Sequence, residues 1–189
     1  TVIPYYRRFL EKYPTAAALA AASEDDVLTL WAGLGYYARG RNLHAAARII
    51  AERGFPQSQD EIEALPGVGR STAAAIAAFA FGERAAILDG NVKRVLARYH
   101  AEPGWPGDAP VLNALWAHAE RLVPRRGARA YTQALMDLGA TLCTRRRPQC
   151  PACPLAADCA AYAAGTPCPR APSRPSCWRS TSLRSASRR

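Results

Sequence analysis

The stretch Leu65-Pro66-Gly67-Val68-Gly69 decides the fold of this 189-residue chain. Its two glycines tolerate a positive φ and leave the backbone uncovered, so that successive N–H groups can converge on one anion. The N-terminus of a following helix adds its positive end to such a site. An isolated G-x-G is most often only a tight turn between two helices, so the flanking sequence decides between the two interpretations.

Both flanks favour the anion-binding interpretation. Before the stretch, Ser58-Gln59-Asp60-Glu61 is a capping box that opens a short helix. After it, Arg70-Ser71-Thr72 begins an Ala-rich helical run. This order predicts a helix-hairpin-helix motif over about residues 58–80, which binds a nucleic-acid phosphate through main-chain amides and reads no base sequence. The predicted contacts are Gly67, Val68, Gly69 and Arg70.

Helical periodicity continues outside this motif. Apolar residues recur at three- and four-residue steps, Ala is abundant, and no stretch alternates as a strand would. The sequence therefore predicts an all-α fold without a long internal linker or a repeat. Further helices are predicted from a cap at Ser23 to Trp31, and over about residues 39–52, 91–99, 110–122, 128–138 and 154–163.

Net charge limits the classes of partner. The net charge of +10 favours a polyanion, most simply nucleic acid. Residues 165–189 hold six Arg and no acid, so residues 1–164 carry only +4, which suits an ordinary basic protein equally well. This Pro-, Ser- and Arg-rich tail has too little apolar surface to fold alone. We expect residues 164–189 to be a disordered basic arm or an out-of-frame translation.

The N-terminus and the apolar runs bear on the compartment. No stretch approaches eighteen uncharged apolar residues, and the first residues lack the layout of a signal peptide. We therefore expect no membrane contact and a cytoplasmic compartment. We further expect a monomer in a bacterial cell, associated with the nucleoid through DNA. The chain also lacks an initiating Met, which predicts a fragment or an internal start.

Four cysteines within seventeen residues form a candidate metal centre: Cys143, Cys150, Cys153 and Cys159. In a reducing compartment such a group favours a metal over disulfides. The spacing lacks the two C-x2-C pairs of most four-cysteine zinc modules, and one compact loop of thiolates suits a [4Fe–4S] cluster. Zinc and incidental buried thiols are the alternatives. Three consecutive arginines lie inside the loop: Arg145, Arg146 and Arg147. They form either a phosphate-binding cluster or a solvated charge run.

Asp89 follows an apolar pair and precedes Gly90-Asn91. Aspartate at such a junction most commonly caps a helix. Asp89 also follows Gly69 by only twenty residues, so its carboxylate could face DNA bound by Gly67 and Gly69. A carboxylate near a sugar C1′ stabilises a developing oxocarbenium ion, as in glycoside cleavage. The two roles are compatible.

Aromatic, glycine and arginine residues are mixed between Trp31 and His44. An enzyme that acts on a base must take it out of the stack, and an aromatic wedge between bases helps. Tyr36 or Tyr37 on a glycine-rich turn could be that wedge, with Arg39 and Arg41 as DNA contacts. The alternative is a set of core aromatic residues beside surface arginines.

In this order, the motifs resemble the helix-hairpin-helix DNA glycosylases that carry an iron–sulfur cluster, and among them the adenine DNA glycosylases of the MutY type. The resemblance runs from TVIPYY through WAGLGYYARGRNLH, LPGVGRSTAAAI, ILDGNVKR and QALMDLGATLC to the four cysteines, over about residues 1–163. It implies the helix-hairpin-helix glycosylase fold with a C-terminal cluster loop at residues 143–159. The implied reaction, in base excision repair, is hydrolysis of the N-glycosidic bond of adenine mispaired with 8-oxoguanine or guanine in double-stranded DNA.

The resemblance also implies roles for single residues. Asp89 would stabilise the oxocarbenium-like transition state with Asn91 near it, Tyr36 would be wedged beside 8-oxoguanine, and Lys93 is a further predicted DNA contact. Ser71 holds the position at which the endonuclease III branch has a Schiff-base lysine. Because serine cannot form a Schiff base, we expect base removal without strand cleavage. The four cysteines would ligate a [4Fe–4S] cluster.

Two departures from the family pattern stand out. The family's catalytic Glu, which protonates the adenine, lies shortly upstream of the TVIPY segment, and the tail stands in place of the family's Nudix-like C-terminal domain. General acid catalysis supplies about 10²–10⁴-fold, so we expect this chain to be nearly inactive alone. The alternatives are an endonuclease III-like glycosylase/lyase for oxidised pyrimidines and a non-catalytic iron–sulfur DNA-binding module.

Overall fold

The computed structural model describes residues 2–166, which form helices and connecting turns without a strand. The predicted all-α fold is therefore confirmed. Two compact units follow each other along the chain, the first ending at Phe81 and the second starting at Gly82. No helix in this part of the chain is long and apolar enough to cross a membrane. Beyond Thr166, the predicted tail lies outside the described residues.

Unit 1 is built around its longest helix, α4, which packs against α2 and α3. Leu19, Val27 and Ala47 are buried between these helices, and Phe9 and Tyr13 of the N-terminal segment pack against them. The helices of unit 1 are α1 (Ile3–Lys12), α2 (Ala16–Ala21), α3 (Glu24–Trp31), α4 (Tyr37–Arg53), α5 (Gln59–Glu63) and α6 (Arg70–Ile76), and α6 continues into a π-helical turn at Ala77–Phe81.

Local capping explains where the first helices begin. The Ser23 hydroxyl accepts the Asp26 amide at 3.1 Å, which confirms the predicted start of α3. Two helices that were not predicted from the sequence, α1 and α2, precede Ser23. Pro4 stands in the first turn of α1, where its fixed φ suits a helix. The Thr15 hydroxyl caps α2 by accepting the Ala18 amide.

Unit 2 is arranged around α7 (Gly90–Tyr99), which packs against α8, α9 and α10. Val92, Leu96 and Leu115 are buried between these helices. A Cβ on Gly139 would lie 2.6 Å from the Cβ of Asn91, so glycine is what lets α7 and α9 approach this closely. The other elements are α8 (Ala109–Leu122), α9 (Ala128–Thr141), 3₁₀ turns at Cys150–Ala152 and Ala156–Asp158, and α10 (Ala160–Ala163).

The predicted helix over residues 154–163 is wrong for its first half. Only Ala160–Ala163 is α-helical. Cys153 and Cys159 have extended backbones, with ψ angles of 127° and 107°, and an extended residue interrupts the helical hydrogen bonds on either side. The cysteine loop (residues 143–159) is therefore a series of short turns that closes onto α10.

Candidate functional site

The hairpin turn (residues 65–69) joins α5 to α6 in unit 1. Its entry is fixed by the predicted capping box. The Ser58 hydroxyl accepts the Glu61 amide at 3.4 Å, and the Glu61 carboxylate accepts the Ser58 amide at 3.2 Å. The Ser58 and Gln57 amides that donate to this carboxylate lower the pKa of Glu61, because they stabilise its charged form. The helix before the turn is thus held by its own side chains.

The turn itself has the geometry that its glycines predict. Gly67 has φ +75°, and a Cβ there would lie 2.5 Å from Nδ2 of Asn42 on α4. Gly69 caps α6 from an extended backbone, and both Gly69 and Arg70 are exposed. The Val68 amide donates to the Leu65 carbonyl at 3.1 Å. Of the predicted phosphate contacts, Val68 therefore uses its amide to close the turn.

The aromatic turn (residues 31–36) lies at the start of α4. The Trp31 indole N–H donates to the Gly35 carbonyl at 3.0 Å. Tyr36 has a left-handed backbone, with φ 50° and ψ 59°, and 76% of it is exposed. The Arg39 guanidinium lies 5.2 Å from the Tyr36 ring. A large, solvent-facing ring is thus held on a compact turn.

Other residues of this segment are placed less distinctively. Tyr37 opens α4 and is 45% exposed. Arg41 forms a surface ion pair with Glu24 at 3.2 Å, so its charge already has a partner. Asn42, one residue further on, is the side chain that meets Gly67. The aromatic turn and the hairpin turn are therefore both attached to α4.

Asp89 caps α7 in unit 2, as the junction pattern predicts. Its Oδ1 accepts the amide of Asn91 at 3.1 Å and that of Val92 at 2.8 Å. The side chain is held at the positive end of the helix and the residue is only partly buried. Lys93 lies in the first turns of the same helix and is also partly buried.

Arg94 links Asn91 to the cysteine loop. Its Nη2 donates to Asn91 Oδ1 at 2.8 Å and to the Gly139 carbonyl at 2.5 Å. Its Nε donates to the Cys143 carbonyl at 2.7 Å. One guanidinium therefore ties the N-terminus of α7, where Asp89 lies, to α9 and to the first cysteine.

The four cysteines line one cavity in unit 2. Leucines of α9 and of the cysteine loop line it too, and all four thiols are free and partly buried. Burial raises the pKa of the Cys150 thiol, and the neighbouring thiols act in the same direction. In residues 2–166, no three Cys, His, Asp or Glu side chains lie close enough together to hold a single metal ion.

Arg98 is the buried cation of this cavity. It is 3% exposed, and its Nη1 donates to the Cys143 thiol at 3.2 Å and to the Thr144 carbonyl at 2.8 Å. Its Nε is buried without a hydrogen-bond partner among the described residues. A buried charge needs a compensating anion. An apolar cavity with four thiols and one guanidinium fits an anionic metal–thiolate cluster.

The three arginines of the cysteine loop differ in exposure. Arg145 is partly buried, whereas Arg146 and Arg147 are exposed. The loop backbone beneath them is fixed, because the Arg145 carbonyl accepts from Arg98 and the Arg147 carbonyl accepts from the Thr144 hydroxyl. The arginines are thus mounted on an ordered loop.

Arg94 and Arg98 were not among the site residues predicted from the sequence. They are four residues apart, so they share one face of α7. Arg98 directly follows the apolar run Val95-Leu96-Ala97. An arginine at a helical position where the pattern predicts an apolar residue is the signal that could have identified it. Ser71 lies in the first turn of α6 and is partly buried.

Comparisons with known proteins match this architecture. The profile of the HhH-GPD superfamily base excision DNA repair proteins matches residues 1–121. The human adenine DNA glycosylase is 46% identical over 165 residues, which are 85% of this chain and 30% of that protein. The adenine DNA glycosylase of Buchnera aphidicola subsp. Baizongia pistaciae is 41% identical over 165 residues, covering 86% of this chain and 46% of that protein. The chain thus spans half or less of these relatives.

Solved structures give the same result for the fold. A thermostable thymine-DNA glycosylase is 30% identical with a TM-score of 0.77, and the match covers 86% of this chain and 76% of that one. A non-covalent endonuclease III–DNA complex is 26% identical with a TM-score of 0.72, over the same shares. The predicted helix-hairpin-helix glycosylase fold and the resemblance to adenine DNA glycosylases are confirmed. The chain belongs to the HhH-GPD superfamily of base excision DNA repair proteins.

Proposed function

We propose that this chain is the helical core of an adenine DNA glycosylase, which hydrolyses the N-glycosidic bond of adenine mispaired with 8-oxoguanine or guanine. Curated adenine DNA glycosylases are 37–46% identical to it. The observation that carries the proposal is the placement of Asp89, whose Oδ1 is fixed by two amides at the start of α7. Its second oxygen is then left to face the substrate.

Binding the duplex precedes the chemistry. In the proposed mechanism, the hairpin turn and Arg70 hold a backbone phosphate through main-chain amides and positive charge. Tyr36 enters the stack beside 8-oxoguanine, and the adenine leaves the helix. Arg39, Lys93 and the three arginines of the cysteine loop supply further phosphate contacts, while Arg41 does so only if it leaves Glu24.

The bond is then broken by charge stabilisation. As the C1′–N9 bond lengthens, positive charge develops on the sugar, and the fixed Asp89 carboxylate stabilises it. Asn91 lies at the same helix N-terminus, where its side chain is held by a hydrogen bond from Arg94. The adenine departs with a proton from a general acid, water adds its oxygen to C1′, and the proton that this water loses returns to the conjugate base of that acid. The resemblance places that acid, a Glu, upstream of Thr1.

Ser71 supports hydrolysis without strand cleavage. A lyase needs an amine that forms a Schiff base with the sugar. The two lysines of the chain are Lys12 and Lys93, and neither lies in α6 after the hairpin turn. The proposed enzyme therefore removes the base only.

The four cysteines are proposed to hold a [4Fe–4S] cluster. Two observations support this: the four cysteines line one cavity, and the buried Arg98 guanidinium lines the same cavity and donates to the Cys143 thiol. Bound there, the cluster would supply a one-electron centre and a covalent anchor for the loop. We also propose that the protein acts as a monomer in the cytoplasm of a bacterium, on double-stranded DNA with A:8-oxoguanine or A:G mispairs.

The test is single-turnover release of adenine from a duplex with one A:8-oxoguanine pair. It compares the 189-residue chain with the same chain extended by the upstream codons of its own gene. We expect the extended chain to release adenine about 10²–10⁴-fold faster than the 189-residue chain, because the resemblance places the general acid in the upstream segment. If neither releases adenine although both bind iron, the adenine assignment is wrong.

The same assay separates the other candidates. Release of thymine from a G:T duplex would favour a thymine glycosylase, which the 30% identity to that solved structure makes a specific alternative. Covalent trapping on DNA with borohydride would favour the endonuclease III-like lyase. Equal affinity for mispaired and ordinary duplexes without base release would leave a DNA-binding module.

A further inference from the structure

The backbone of Tyr36 is strained in a way that needs an explanation. Among the non-glycine residues of the described range, only Tyr36 and Ala101 have a positive φ. Bulky side chains rarely adopt this region, and such strain persists only where the surroundings enforce it. Burial does not compensate here, because 76% of Tyr36 is exposed. Something nearby must hold the residue in this conformation.

The Trp31 indole is the group that does so. It donates to the Gly35 carbonyl at 3.0 Å. That carbonyl belongs to the peptide plane joining Gly35 to Tyr36, so fixing its oxygen fixes the direction in which the Tyr36 backbone leaves the turn. The hydrogen bond therefore acts directly on the strained residue.

The indole is itself held by two packing contacts. Phe9 packs edge-on against its ring, with centroids 5.8 Å apart and an interplanar angle of 84°. Gly40 of α4 also approaches the ring closely, and a Cβ there would lie 3.2 Å from it. These contacts use the ring and leave the N–H to the turn, so the donor has a fixed position.

Arg39 completes the arrangement. Its guanidinium lies 5.2 Å from the Tyr36 ring and 5.9 Å from the Trp31 ring, within the range of a cation–π contact. It links the exposed ring to the anchored one. It also keeps a positive charge beside the ring that would enter a polyanion.

We propose that Trp31 is a positioning residue that presets Tyr36 for insertion into the duplex. The proposal rests on the proposed function, in which Tyr36 is the wedge. A preset wedge pays its ordering cost before DNA arrives. Loss of the indole N–H should therefore weaken binding to the mispaired duplex and leave the hairpin turn's contribution to ordinary duplex binding unchanged.

The test uses Trp31→Phe, which removes the N–H and keeps an aromatic ring against Phe9 and Gly40. The 189-residue chain is titrated with an A:8-oxoguanine duplex that carries 2-aminopurine beside the lesion, so that unstacking raises fluorescence. Because one hydrogen bond contributes about 1 kcal/mol, we expect affinity for this duplex to fall about fivefold, with less unstacking at saturation. Affinity for an unmodified duplex is the internal control.

A double-mutant cycle with Tyr36→Ala distinguishes positioning from general damage. If Trp31 acts through Tyr36, Trp31→Phe has no further effect in the Tyr36→Ala background. An equal loss in both backgrounds, or an equal loss for the unmodified duplex, overturns the proposal. A wild-type chain that does not unstack the probe contradicts both this proposal and the proposed wedge. Unstacking by the wild type with an unchanged Trp31→Phe overturns this proposal alone.

A measurement on the wild type guards against a variant that does not fold. Hydrogen exchange of the Trp31 indole N–H is followed by NMR on chain labelled with ¹⁵N at tryptophan. We expect protection in the free chain, because the N–H is already bonded before DNA binds. Exchange as fast as that of a solvent-exposed indole overturns the proposal.

Discussion

Asp89 combines a structural and a proposed chemical role in one carboxylate. As an N-cap it satisfies two amides of α7 through Oδ1, and the same bonds fix where its charge lies. Asparagine caps a helix about as well as aspartate but carries no charge. The two roles can therefore be separated by a single substitution.

We expect Asp89→Asn to fold normally and to lose adenine release by at least about 10²–10³-fold, the size of one preorganised electrostatic contribution. Single-turnover release by the upstream-extended chain measures it. Asp108→Asn is the matched control, since Asp108 stands at the N-cap of α8 without a side-chain cap bond. Release by Asp89→Asn within tenfold of the wild type would contradict the assigned role.

Gly139 sets the distance between α7 and α9. An added Cβ would meet the Asn91 Cβ at 2.6 Å and its backbone at 3.0 Å, and backbone cannot move aside as a flexible side chain can. We expect Gly139→Ala to lower the free energy of unfolding by about 1–3 kcal/mol, measured by urea denaturation.

Gly90→Ala is the control for this substitution, because a Cβ at Gly90 has no heavy atom within 4 Å. It should leave stability unchanged or raise it by up to about 1 kcal/mol. Equal effects of the two substitutions would show that the close approach of α7 and α9 is not what Gly139 provides.

The cysteine loop is attached to α7 by arginines rather than by apolar packing alone. Arg98 donates to the Cys143 thiol and to three loop carbonyls. These bonds span more than forty residues of sequence, so the loop depends on α7 for its shape. If the loop holds a metal cluster, Arg98 should affect how well the cluster is retained.

We expect Arg98→Leu to reduce bound iron and acid-labile sulfide per chain, because the loop loses its donors and the cavity loses its positive charge. Chemical analysis of protein purified without oxygen measures both. Arg129→Leu on the exposed start of α9 is the control. An unchanged iron content in Arg98→Leu would show that the guanidinium does not support the site.

The contact between α7 and α8 contains a stacked histidine pair. The rings of His100 and His118 are 3.7 Å apart with an interplanar angle of 9°. Arg121 donates to Nδ1 of His118. Because Nδ1 accepts, Nε2 of His118 carries the ring hydrogen and donates it to Glu102. Burial lowers the pKa of His100 from its ordinary 6.5, and His118 and Arg121 lower it further, against Glu102. The Tyr99 ring lies perpendicular to the His100 ring, with centroids 5.0 Å apart.

A base with a lowered pKa in the folded state binds fewer protons folded than unfolded, so stability rises with pH. The contribution of His100 is therefore complete above about pH 6.5 and is lost as the pH falls toward its folded pKa. We expect the Tm to drop between pH 7.5 and pH 5, and to drop less in His100→Gln. Parallel pH profiles of the two proteins would exclude His100 as the cause.

For the chain as a whole, charge is distributed unevenly along the sequence. All six arginines after residue 164 lie in the last twenty residues, without a compensating acid. Each phosphate contact releases counterions, and log K then falls with log salt by about 0.9 per contact. The C-terminal arginines can therefore contribute affinity without contributing base specificity.

We expect deletion of residues 167–189 to weaken binding to ordinary duplex DNA and to flatten its salt dependence by up to about 0.9 per arginine that contacts a phosphate. Binding isotherms at several salt concentrations measure both. The ratio of affinities for mispaired and ordinary duplexes should not change. An unchanged salt slope would show that these residues make no phosphate contact.

Much of the fold was readable from local patterns. The caps at Ser23, Ser58 and Asp89 and the glycine at Gly67 all depend on residues within a few positions of one another. A helix start or a tight turn is determined at that range, because the groups that satisfy it are neighbours in sequence. The all-α class and the hairpin turn followed directly from them.

Other features depended on the tertiary structure. Arg94 and Arg98 bond to Cys143 of the cysteine loop across 49 and 45 residues of sequence. The left-handed backbone of Tyr36 is held by an anchored indole. Residues 154–159 form short turns instead of the predicted helix, because the cysteine loop closes onto α10. The sequence by itself determined the helices, their caps and the order of the candidate site residues. Which side chains meet, and at what angle, was decided only when packing brought distant segments together, since no local pattern encodes such contacts.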